Sequence, residues 1–428
     1  MKPPVLIPLS GISEDQFQTH QRYSRLLDDK GRYLPFAEFR HRIKSGEDIT
    51  LAWTLTRRAR DAALQRIEFR NEAGQQAGFY ITPGIAEACA MVDTVTSQAA
   101  LAQHIAALRG AGAELSSLIL AEPITSSQLE GASTTTLVAH NMLETGRKPR
   151  TEDEHMIAGN ARLMAEISEH VKEPLTVKLI RHFHAVGMSG IDDAKYTPGA
   201  FRQTDDVVIA DYDGNIVHQP PRAETIEERL QAVCDFTNDT SGAYIHPLIK
   251  ACSLHFMIAH EHPFRDGNGR TSRALFYWLM LKNGFPAFKY ISISTLLHAA
   301  PVKYAHSYQS TERDGMDLTY FLDYQTSVVA RAVSGYMAHI DGLVLHRAAL
   351  DRALFESGAL GRLNPRHITV LNILSATPYK LFSAAGIAAS MGISDNTART
   401  ALKALVRESL VEGVQNNDQQ TLYRAKTK

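Results

Sequence analysis

Apolar residues recur at helical spacing along most of this chain, and the pattern predicts a mainly α-helical fold. The spacing is most regular between about Leu101 and Leu350, where predicted helices follow one another with few interruptions. One of them runs from Leu248 to about His260. The next has a core face that includes Leu275, Phe276, Leu279 and Met280. We therefore expect a helical core at residues 101–350, preceded by a helical region at 1–100.

Two short stretches of alternating residues interrupt this pattern and predict β-hairpins. In the first hundred residues, Arg66–Phe69 and Phe79–Ile81 flank a turn rich in Asn and Gly. Further on, Val207–Ala210 and Ile216–His218 flank the turn Asp213-Gly214-Asn215. A lone hairpin cannot form the core of a domain. The second hairpin is therefore expected to pack on the helices, or to project from them, as a flap.

The last part of the chain, residues 361–428, has a different pattern. Apolar stripes predict helices at His367–Leu374, at Ala384–Met391 and from the capping residue Ser394 to about Leu410. A turn at Asn416–Asp418 then separates two short apolar segments. Three helices followed by a hairpin resemble a winged helix-turn-helix domain. With nine basic against four acidic residues, this segment suits either DNA binding or an interaction or dimerisation module.

Composition narrows the class of protein. The chain has 428 residues, 44% hydrophobic and 21% charged, which is the balance of a folded protein with two or three domains. Its cysteines, Cys89, Cys234 and Cys252, are widely spaced, so neither a disulfide framework nor a cysteine zinc site is predicted. The longest apolar run, Ala274–Leu281, is far shorter than the roughly 20 residues that span a bilayer. We expect a cytoplasmic protein with no membrane role and no signal peptide.

The stretch from His262 to Arg273 carries the candidate chemistry. A Gly-Asn-Gly turn at Gly267–Gly269 leads into a helix, and unpaired N–H groups at a helix start bind anions such as phosphate. Arg270 and Arg273 lie three residues apart there, which suits a polyphosphate. Asp266 offers a hard oxygen ligand for Mg²⁺, and His262 suits proton removal near neutral pH.

These twelve residues match the signature His-x-Phe-x-(Asp/Glu)-Gly-Asn-Gly-Arg-x-x-Arg, and the chain therefore resembles the Fic family. The resemblance implies a helical core that binds ATP with Mg²⁺ and transfers AMP to a Ser, Thr or Tyr hydroxyl of a target protein. His262 would deprotonate that hydroxyl, and Asp266 would hold the metal. Gly267, Asn268 and Gly269 would cradle the phosphates, and Arg270 and Arg273 would neutralise the leaving side. Phe264 would be buried and anchor the loop. The intact Gly-Asn-Gly-Arg argues against the branch that phosphorylates its targets.

A second motif resembles the inhibitory pattern of the same family, (Ser/Thr)-x-x-x-Glu-(Gly/Asn). It spans Ser126-Ser127-Gln128-Leu129-Glu130-Gly131. Ser126 and Glu130 are one helical turn apart, so both can face the same neighbour. The resemblance implies that Glu130 pairs with Arg273 and occupies the place of the γ-phosphate. We therefore predict an autoinhibited enzyme.

The resemblance also implies how a target protein binds. Family members have a hairpin that aligns the target segment by strand addition, and residues 207–221 lie at the corresponding position. Gly199, Phe201 and Arg202, just before this hairpin, resemble the family as well. Tyr304 and Tyr308 resemble residues that shape the nucleotide pocket in one subgroup, but plain packing explains them equally well.

Other functions compete with this interpretation. His246, His255, His260 and His262 offer the residue types of a zinc site, but without a His-Glu-x-x-His motif. The chain could also be a transcription regulator whose core senses nucleotide while residues 361–428 bind DNA. A third hypothesis is removal of AMP from a modified protein, since a glutamate beside a metal can activate water. Self-association as a homo-oligomer is compatible with all three.

Overall fold

The computed structural model describes residues 2–108, 115, 118–191, 197–210, 214–240, 242–356, 358–376, 381–415 and 421–426. These residues are mainly helical, as the sequence pattern predicted. They form two compact units, one made of Met1–Ser97 with Leu120–Val333 and the other of Gln98–Ile119 with Ser334–Lys428. The predicted core segment 101–350 is thereby shared between the two units.

The α-helices of the described chain follow one another in this order. They are α1 (Glu14–His20), α2 (Phe36–Phe39), α3 (Ile49–Ala63), α4 (Pro83–Thr96), α5 (Gln98–Ala107), α6 (Ala121–Leu129), α7 (Thr136–Thr145), α8 (Glu152–Glu169), α9 (Val177–Gly187), α10 (Ile226–Asn238), α11 (Pro247–Glu261), α12 (Asn268–Lys282), α13 (Ser294–His298), α14 (Pro301–Arg313), α15 (Thr319–Glu356), α16 (Pro365–Ala376), α17 (Ala384–Met391) and α18 (Asp395–Arg407). The strands are β1 (Gln65–Arg70), β2 (Gln76–Phe79), β3 (Ile209–Ala210), β4 (Ile216–His218), β5 (Val411–Gln415) and β6 (Thr421–Ala425).

Helices α11 and α12 form the centre of the first unit. Both are buried on nearly all sides, and helices that are apolar all round belong in the middle of a protein. Helix α11 begins at Pro247, where His246 caps it by accepting the N–H of Leu248 at 3.1 Å. Phe256 and Trp278 are among the largest fully buried side chains, one on each helix. The short loop that joins the two helices is therefore supported by the most rigid part of the fold.

The two predicted hairpins of this unit are present, but the bounds of three of their four strands differ from the prediction. Strands β1 and β2 pair antiparallel, with Gln65 opposite Phe79, and β2 ends at Phe79 where Ile81 was predicted. The reason is that the N–H of Tyr80 bonds to Thr319, and Thr82 already caps α4. Strands β3 and β4 pair with Ile209 opposite His218.

Val207 and Val208, which were predicted to extend the second hairpin, lie outside the strand. Gly214 has a positive φ of 80°, as a hairpin turn requires. Asp213 of the predicted turn lies outside the described residues.

The second unit contains the three predicted C-terminal helices and the β5–β6 hairpin. Helices α16, α17 and α18 bury an apolar cluster that includes Leu371, Ile387, Leu402 and Leu405. Ser394 caps α18, as predicted, but this helix ends at Arg407 because the chain turns at Ser409, where φ is 60°, to begin β5. The turn at Asn416–Asp418 lies outside the described residues. The assignment of this segment as a winged helix-turn-helix stays a prediction.

Helix α15 is, within the described ranges, the one helix whose length and composition would let it cross a membrane. A count of consecutive apolar residues missed it, because small and polar residues interrupt its apolar stretch. Core helices of folded proteins meet the same criterion, and Val328, Val329 and Val333 of α15 are fully buried. The criterion alone is therefore weak support for a membrane span.

Candidate active site

His262 lies where α11 ends and the loop to α12 begins. Its φ of 44° is left-handed, a conformation that a residue with a side chain adopts only when its surroundings hold it. Its N–H donates to the carbonyl of Ile258 at 3.1 Å, and its own carbonyl accepts from Arg202 Nε at 3.0 Å. Its Nδ1 lies 3.2 Å from the carbonyl oxygen of Ala259, which can only accept. Nδ1 therefore carries the proton, and Nε2 is the basic nitrogen of the neutral ring.

The electrostatic surroundings keep this ring neutral. Burial lowers the pKa of His262 to about 4, against the opposing effect of the bond to Ala259, and the nearby His218 and Arg202 lower it further. At neutral pH the imidazole is therefore in its basic form. A neutral histidine at a loop beside an anion site can accept a proton from a hydroxyl.

Two arginines, the buried Arg202 and the partly buried Arg229, bind the residues at the start of this loop. The Arg202 guanidinium is fully buried and donates to the carbonyls of His262 and Pro221 and to the carboxylate of Asp205. It thus joins the His262 loop to the segment that closes the β3–β4 hairpin. Glu261 is equally buried and accepts two hydrogen bonds from Arg229, each 2.6 Å long. The sequence singled out Arg202, but gave no signal for the Arg229–Glu261 pair.

Phe264 and His184 pack face to face beneath the loop. Phe264 is fully buried, as expected, and the two rings lie 3.6 Å apart and parallel. The His184 Nδ1 accepts the N–H of Gly199 at 2.9 Å, so its Nε2 carries the proton and donates to the carbonyl of Asp266 at 3.0 Å. Burial lowers the pKa of His184 to about 4. Sequence analysis missed His184, because no local motif marks a histidine 82 positions from its partner.

The pKa of His184 is lower in the folded than in the unfolded chain, and this difference predicts that stability depends on pH. The unfolded residue takes up a proton near pH 6.5, whereas the folded one resists protonation until about pH 4. This contribution is therefore present above pH 6.5 and is lost as the pH falls to 4; between pH 7 and 5 it should be on the order of 2 kcal/mol. Urea unfolding at both pH values, with His184→Gln and with the exposed control His298→Gln, measures it. An equal loss of stability in wild type and His184→Gln would contradict the assignment.

The glycine turn opens the N-terminus of α12. Gly267 has a φ of 74°, and a Cβ there would lie 2.7 Å from the sulfur of Met188, so only glycine fits. The buried Asn268 side chain does not face a ligand: it accepts the N–H of Phe264 at 2.9 Å and donates to the same residue's carbonyl at 2.8 Å. No side chain caps this helix start. Its free N–H groups therefore remain available to an anion.

Arg270 is almost completely buried and only partly satisfied. Its guanidinium lies 2.9 Å from the sulfur of Met188, 3.4 Å from the carbonyl of Gly187 and 3.5 Å from the Asp266 carboxylate. Its Nε has no partner among the described residues. Burial lowers the pKa of Arg270 from its ordinary value. A buried cation with weak partners gains from a bound anion.

Arg273 is, in contrast, fully engaged by the segment that resembles the inhibitory motif. Its Nε donates to Ser126 Oγ at 2.8 Å, and its Nη2 lies 3.0 Å from the Ser126 carbonyl and 2.8 Å from Glu130 Oε1. Glu130 also lies against Gly269, where an added Cβ would be 2.7 Å from the Glu130 carboxyl carbon. The carboxylate therefore covers the helix start that the glycine turn leaves open.

Helix α6, which ends at Leu129 with Glu130 as its C-cap, is fixed by contacts that the sequence did not reveal. Glu122 is buried and accepts the Ser294 N–H at 3.0 Å, the Ser294 hydroxyl at 2.5 Å and the Ser292 hydroxyl at 2.8 Å. These bonds attach the first turn of α6 to the start of α13. Asn160 adds a bond to the carbonyl of Pro123 at 3.0 Å. The position of Glu130 is thereby set by the packing of a whole helix.

The candidate tyrosines and several candidate histidines bond to other protein side chains. Tyr304 bonds to His255 at 2.7 Å and to Tyr308 at 3.0 Å, so these tyrosines have protein partners of their own and their contact with nucleotide stays a prediction. His246 bonds to Asp93 at 3.0 Å. Among the described residues, the predicted set of His246, His255, His260 and His262 does not come within ligand distance of one metal ion.

Comparison with known proteins agrees with this geometry. Residues 174–280 match the model of the Fic/DOC family. The chain is 40% identical over 67 residues to a protein adenylyltransferase, fic-1, of Caenorhabditis elegans, covering 16% of this chain and 13% of that protein. It is 31% identical over 163 residues to the protein adenylyltransferase Fic of Drosophila willistoni, covering 37% and 31%. The chain thus spans about a third or less of the length of these relatives.

A solved structure extends the likeness in fold beyond the matched segment. The Fic family protein from Desulfovibrio desulfuricans superposes with a TM-score of 0.52 at 18% identity, covering 81% of this chain and 97% of that one. At this identity the likeness shows the fold alone. Residues 174–280, which include the loop at 262–273, thus match the Fic/DOC family, and the fold is similar to that of a Fic family protein.

Proposed function

We propose that this protein transfers AMP from ATP to a hydroxyl group of another protein and that Glu130 restrains the reaction. The observation that carries the proposal is that the neutral, basic His262 lies near the uncapped start of helix α12, which carries the buried Arg270 and Arg273. Two relatives named protein adenylyltransferase, which are 40% identical over 67 residues and 31% identical over 163 residues, support the proposal.

The reaction is a single displacement at the α-phosphorus. The target's hydroxyl oxygen forms a bond to the α-phosphorus of ATP while the bond from that phosphorus to the bridging oxygen of the β-phosphate breaks. Pyrophosphate leaves, and His262 Nε2 accepts the hydroxyl proton. Because Nδ1 donates to the carbonyl of Ala259, the ring presents Nε2 without a change of tautomer. The enzyme contributes chiefly alignment and electrostatic stabilisation.

The phosphates would occupy the helix start of α12. The N–H groups of its first turn face the anion, and Arg270 supplies a buried charge that lacks strong partners. Asp266 fits Mg²⁺, since its side chain is 38% exposed and its ion pair with Arg270 is long at 3.5 Å. When bound, the metal would neutralise phosphate charge. Asn268 acts indirectly, because its side chain positions Phe264.

The role of Asp266 predicts a metal requirement. We expect Asp266→Ala, or excess EDTA with the unmodified chain, to lower AMP transfer at least about tenfold, because a hard oxygen ligand and the phosphate neutralisation are lost. The control Asp235→Asn changes a carboxylate on α10 and should leave transfer unchanged. Full activity in EDTA would remove Asp266 from the metal role.

The target segment would pair with the β3–β4 hairpin. Its strands are short, and Ile216 is among the exposed large hydrophobic residues. Strand addition uses main-chain hydrogen bonds and makes few demands on the target's sequence. Arg202 links the segment after β4 to the carbonyl of His262, so a strand aligned there would be held in register with the base.

Incubation with ATP labelled at either end tests the proposed reaction. Label on the α-phosphate should enter protein, whereas label on the γ-phosphate should not, because pyrophosphate leaves. Glu130→Gly is the suitable form of the chain, and mass spectrometry of the labelled band identifies the modified Ser, Thr or Tyr. Incorporation of γ-label would show a phosphoryl transferase instead.

Removal of AMP is a second candidate, favoured by one observation. The Glu130 carboxylate lies at the helix start that would bind phosphate, where it could activate a water molecule. A target that carries AMP, incubated with wild-type chain and with Glu130→Gln, distinguishes the two directions. Loss of AMP only with wild type would favour the reverse reaction.

DNA binding by the C-terminal helices is a separate candidate. Helix α18 has Lys403 and Arg407 exposed on its surface, and Arg399 makes a long ion pair with Asp395 at 3.6 Å. These cations could contact phosphates of a duplex. A gel shift against the protein's own promoter, with Lys403→Ala plus Arg407→Ala as the comparison, tests it. Equal migration with and without protein would leave dimerisation as the role of this unit.

A further inference from the structure

Three ligand atoms converge where the β3–β4 hairpin meets the helical core. His218 is on β4, His260 is on α11 and Glu312 is on α14. Glu312 Oε1 lies 2.9 Å from His218 Nδ1 and 3.0 Å from His260 Nδ1. The two imidazole rings are 4.8 Å apart. All three ligand atoms thus lie within 4.8 Å of one another.

In this cluster a neutral His218 has too few N–H groups for the acceptors that it faces. His218 Nε2 lies 2.8 Å from the carbonyl oxygen of His260, which can only accept, so Nε2 carries a proton. The other nitrogen, Nδ1, faces a carboxylate, which also accepts. A neutral imidazole has one N–H and cannot serve both partners. Either a second proton or a metal ion must lie between His218 and Glu312.

Interactions between these groups shift the pKa values of His218 and Glu312. The Glu312 carboxylate and the carbonyl of His260 hold the pKa of His218 above its ordinary value, although burial opposes them. Hydrogen bonds from the two histidines lower the pKa of Glu312 to about 2, again against burial. Glu261 adds negative charge nearby.

The structure assigns a zinc-binding site to His218, His260 and Glu312, formed by the Nδ1 atoms of the two histidines and a carboxylate oxygen of the glutamate. Two imidazoles and one carboxylate suit Zn²⁺ and leave a fourth position open. Ligand atoms on a tetrahedral zinc ion are roughly 3.3 Å apart, so small side-chain shifts suffice. The bond from His218 Nε2 to a backbone carbonyl is the usual support for a metal-ligating histidine.

The cluster is largely buried and has aromatic neighbours. The ring of His260 lies between Phe69 and Phe256, each at 5.7 Å between ring centres. His260 itself is buried, and His218 and Glu312 are partly buried. An apolar wall around a charged cluster raises the gain from pairing the ligands with a cation. The cluster is distinct from the predicted histidine set, with which it shares His260.

Zinc at this site would fasten the hairpin to the core. Only His218 comes from the hairpin, whereas the other two ligands belong to α11 and α14. His260 precedes His262 by two residues, so the ion would couple the hairpin strand to the end of the helix that carries the proposed base. This consequence rests on the proposed function, but zinc binding itself does not.

A second cluster serves as the internal control for metal binding. Glu166 lies 3.1 Å from His170 and 2.8 Å from His182 on the surface formed by α8 and α9. These side chains are more exposed than those of the buried cluster, and a zinc titration could populate them as well. Zinc binding is therefore measured in the His182→Ala background, in which this surface cluster has lost a ligand.

The test is equilibrium dialysis of the chelator-treated full chain against Zn²⁺, followed by the same titration with Co²⁺ and visible absorption. In the His182→Ala background we expect one ion per chain, a tetrahedral cobalt spectrum and release of protons at pH 7. Adding His218→Ala or Glu312→Gln should weaken binding at least about tenfold. Circular dichroism at each titration temperature shows that the variants are folded.

Two outcomes would overturn the assignment. One is the absence of bound zinc in the His182→Ala chain at micromolar free metal. The other is unchanged affinity when either ligand is replaced in a folded variant. Because none of these measurements uses AMP transfer, their failure would leave the proposed reaction untouched, and failure of the reaction would leave the zinc site testable.

Discussion

Replacing His262 by alanine is expected to lower AMP transfer at least about 100-fold, because the group that accepts the hydroxyl proton is lost. ATP binding should change little, since the phosphates would be held by the helix start of α12 and by Arg270 and Arg273. The measurement is incorporation of α-labelled AMP at saturating ATP in the Glu130→Gly background. Nucleotide affinity is followed separately by calorimetry.

The matched control for this substitution is His298→Ala, an exposed histidine that ends α13. It should transfer AMP at the rate of its parent. The pH profile adds a second criterion: transfer by the parent should fall only when His262 is protonated, near the pH of about 4 to which burial lowers its pKa, and not at 6.5. A His262→Ala chain that labels its target at the parent rate would remove His262 from the role of base.

Replacing Glu130 by glycine is expected to raise both automodification and target modification, by many-fold. In the structure Glu130 Oε1 lies 2.8 Å from Arg273 Nη2, and the carboxylate lies against Gly269. Removing it frees Arg273 to bind the γ-phosphate and uncovers the helix start. ATP could then settle with its α-phosphorus open to the acceptor. A misplaced phosphate chain costs large factors in rate even when binding is tight.

Three variants separate this explanation from simple loosening of α6. Glu130→Gln keeps the size and removes the charge, so it should activate partly. Glu130→Gly with Arg273→Ala should lose the activation, because the freed guanidinium is absent. Ser126→Ala alone removes one bond to Arg273 and leaves the carboxylate, so it should activate much less. Equal, low incorporation in wild type and Glu130→Gly would contradict inhibition.

Glu130→Gly is also expected to lower the stability of the folded chain. Arg273 is almost completely buried, and without Glu130 it keeps its bonds to Ser126 but loses its carboxylate partner. Removing one partner of a buried pair leaves a charge uncompensated, which is destabilising. ATP should therefore raise the melting temperature of Glu130→Gly more than that of wild type, since bound phosphate replaces the lost carboxylate.

Strand ends and helix ends were the least predictable parts of the fold. The return strand of the first hairpin stops at Phe79 because Tyr80 bonds to Thr319, which lies 239 positions away. Helix α18 stops at Arg407 because the chain must turn at Ser409 to begin β5. Such limits depend on partners that are remote in sequence. In contrast, the caps at Ser394 and Thr82 are local, and the sequence shows them directly.

The sequence by itself determined the helical class of the protein and predicted the chemistry of the loop from His262 to Arg273. That loop is twelve consecutive residues, so its glycines, arginines and histidine are placed by local geometry once a helix ends and another begins. Only the tertiary structure decided what holds it. His184 bonds to Asp266 from 82 positions away, and Arg202 bonds to His262 from 60 positions away. Glu122 holds helix α6 through a bond to Ser294, 172 positions away. Likewise, His218, His260 and Glu312 meet because three separate elements pack together, and no spacing along the chain encodes that meeting.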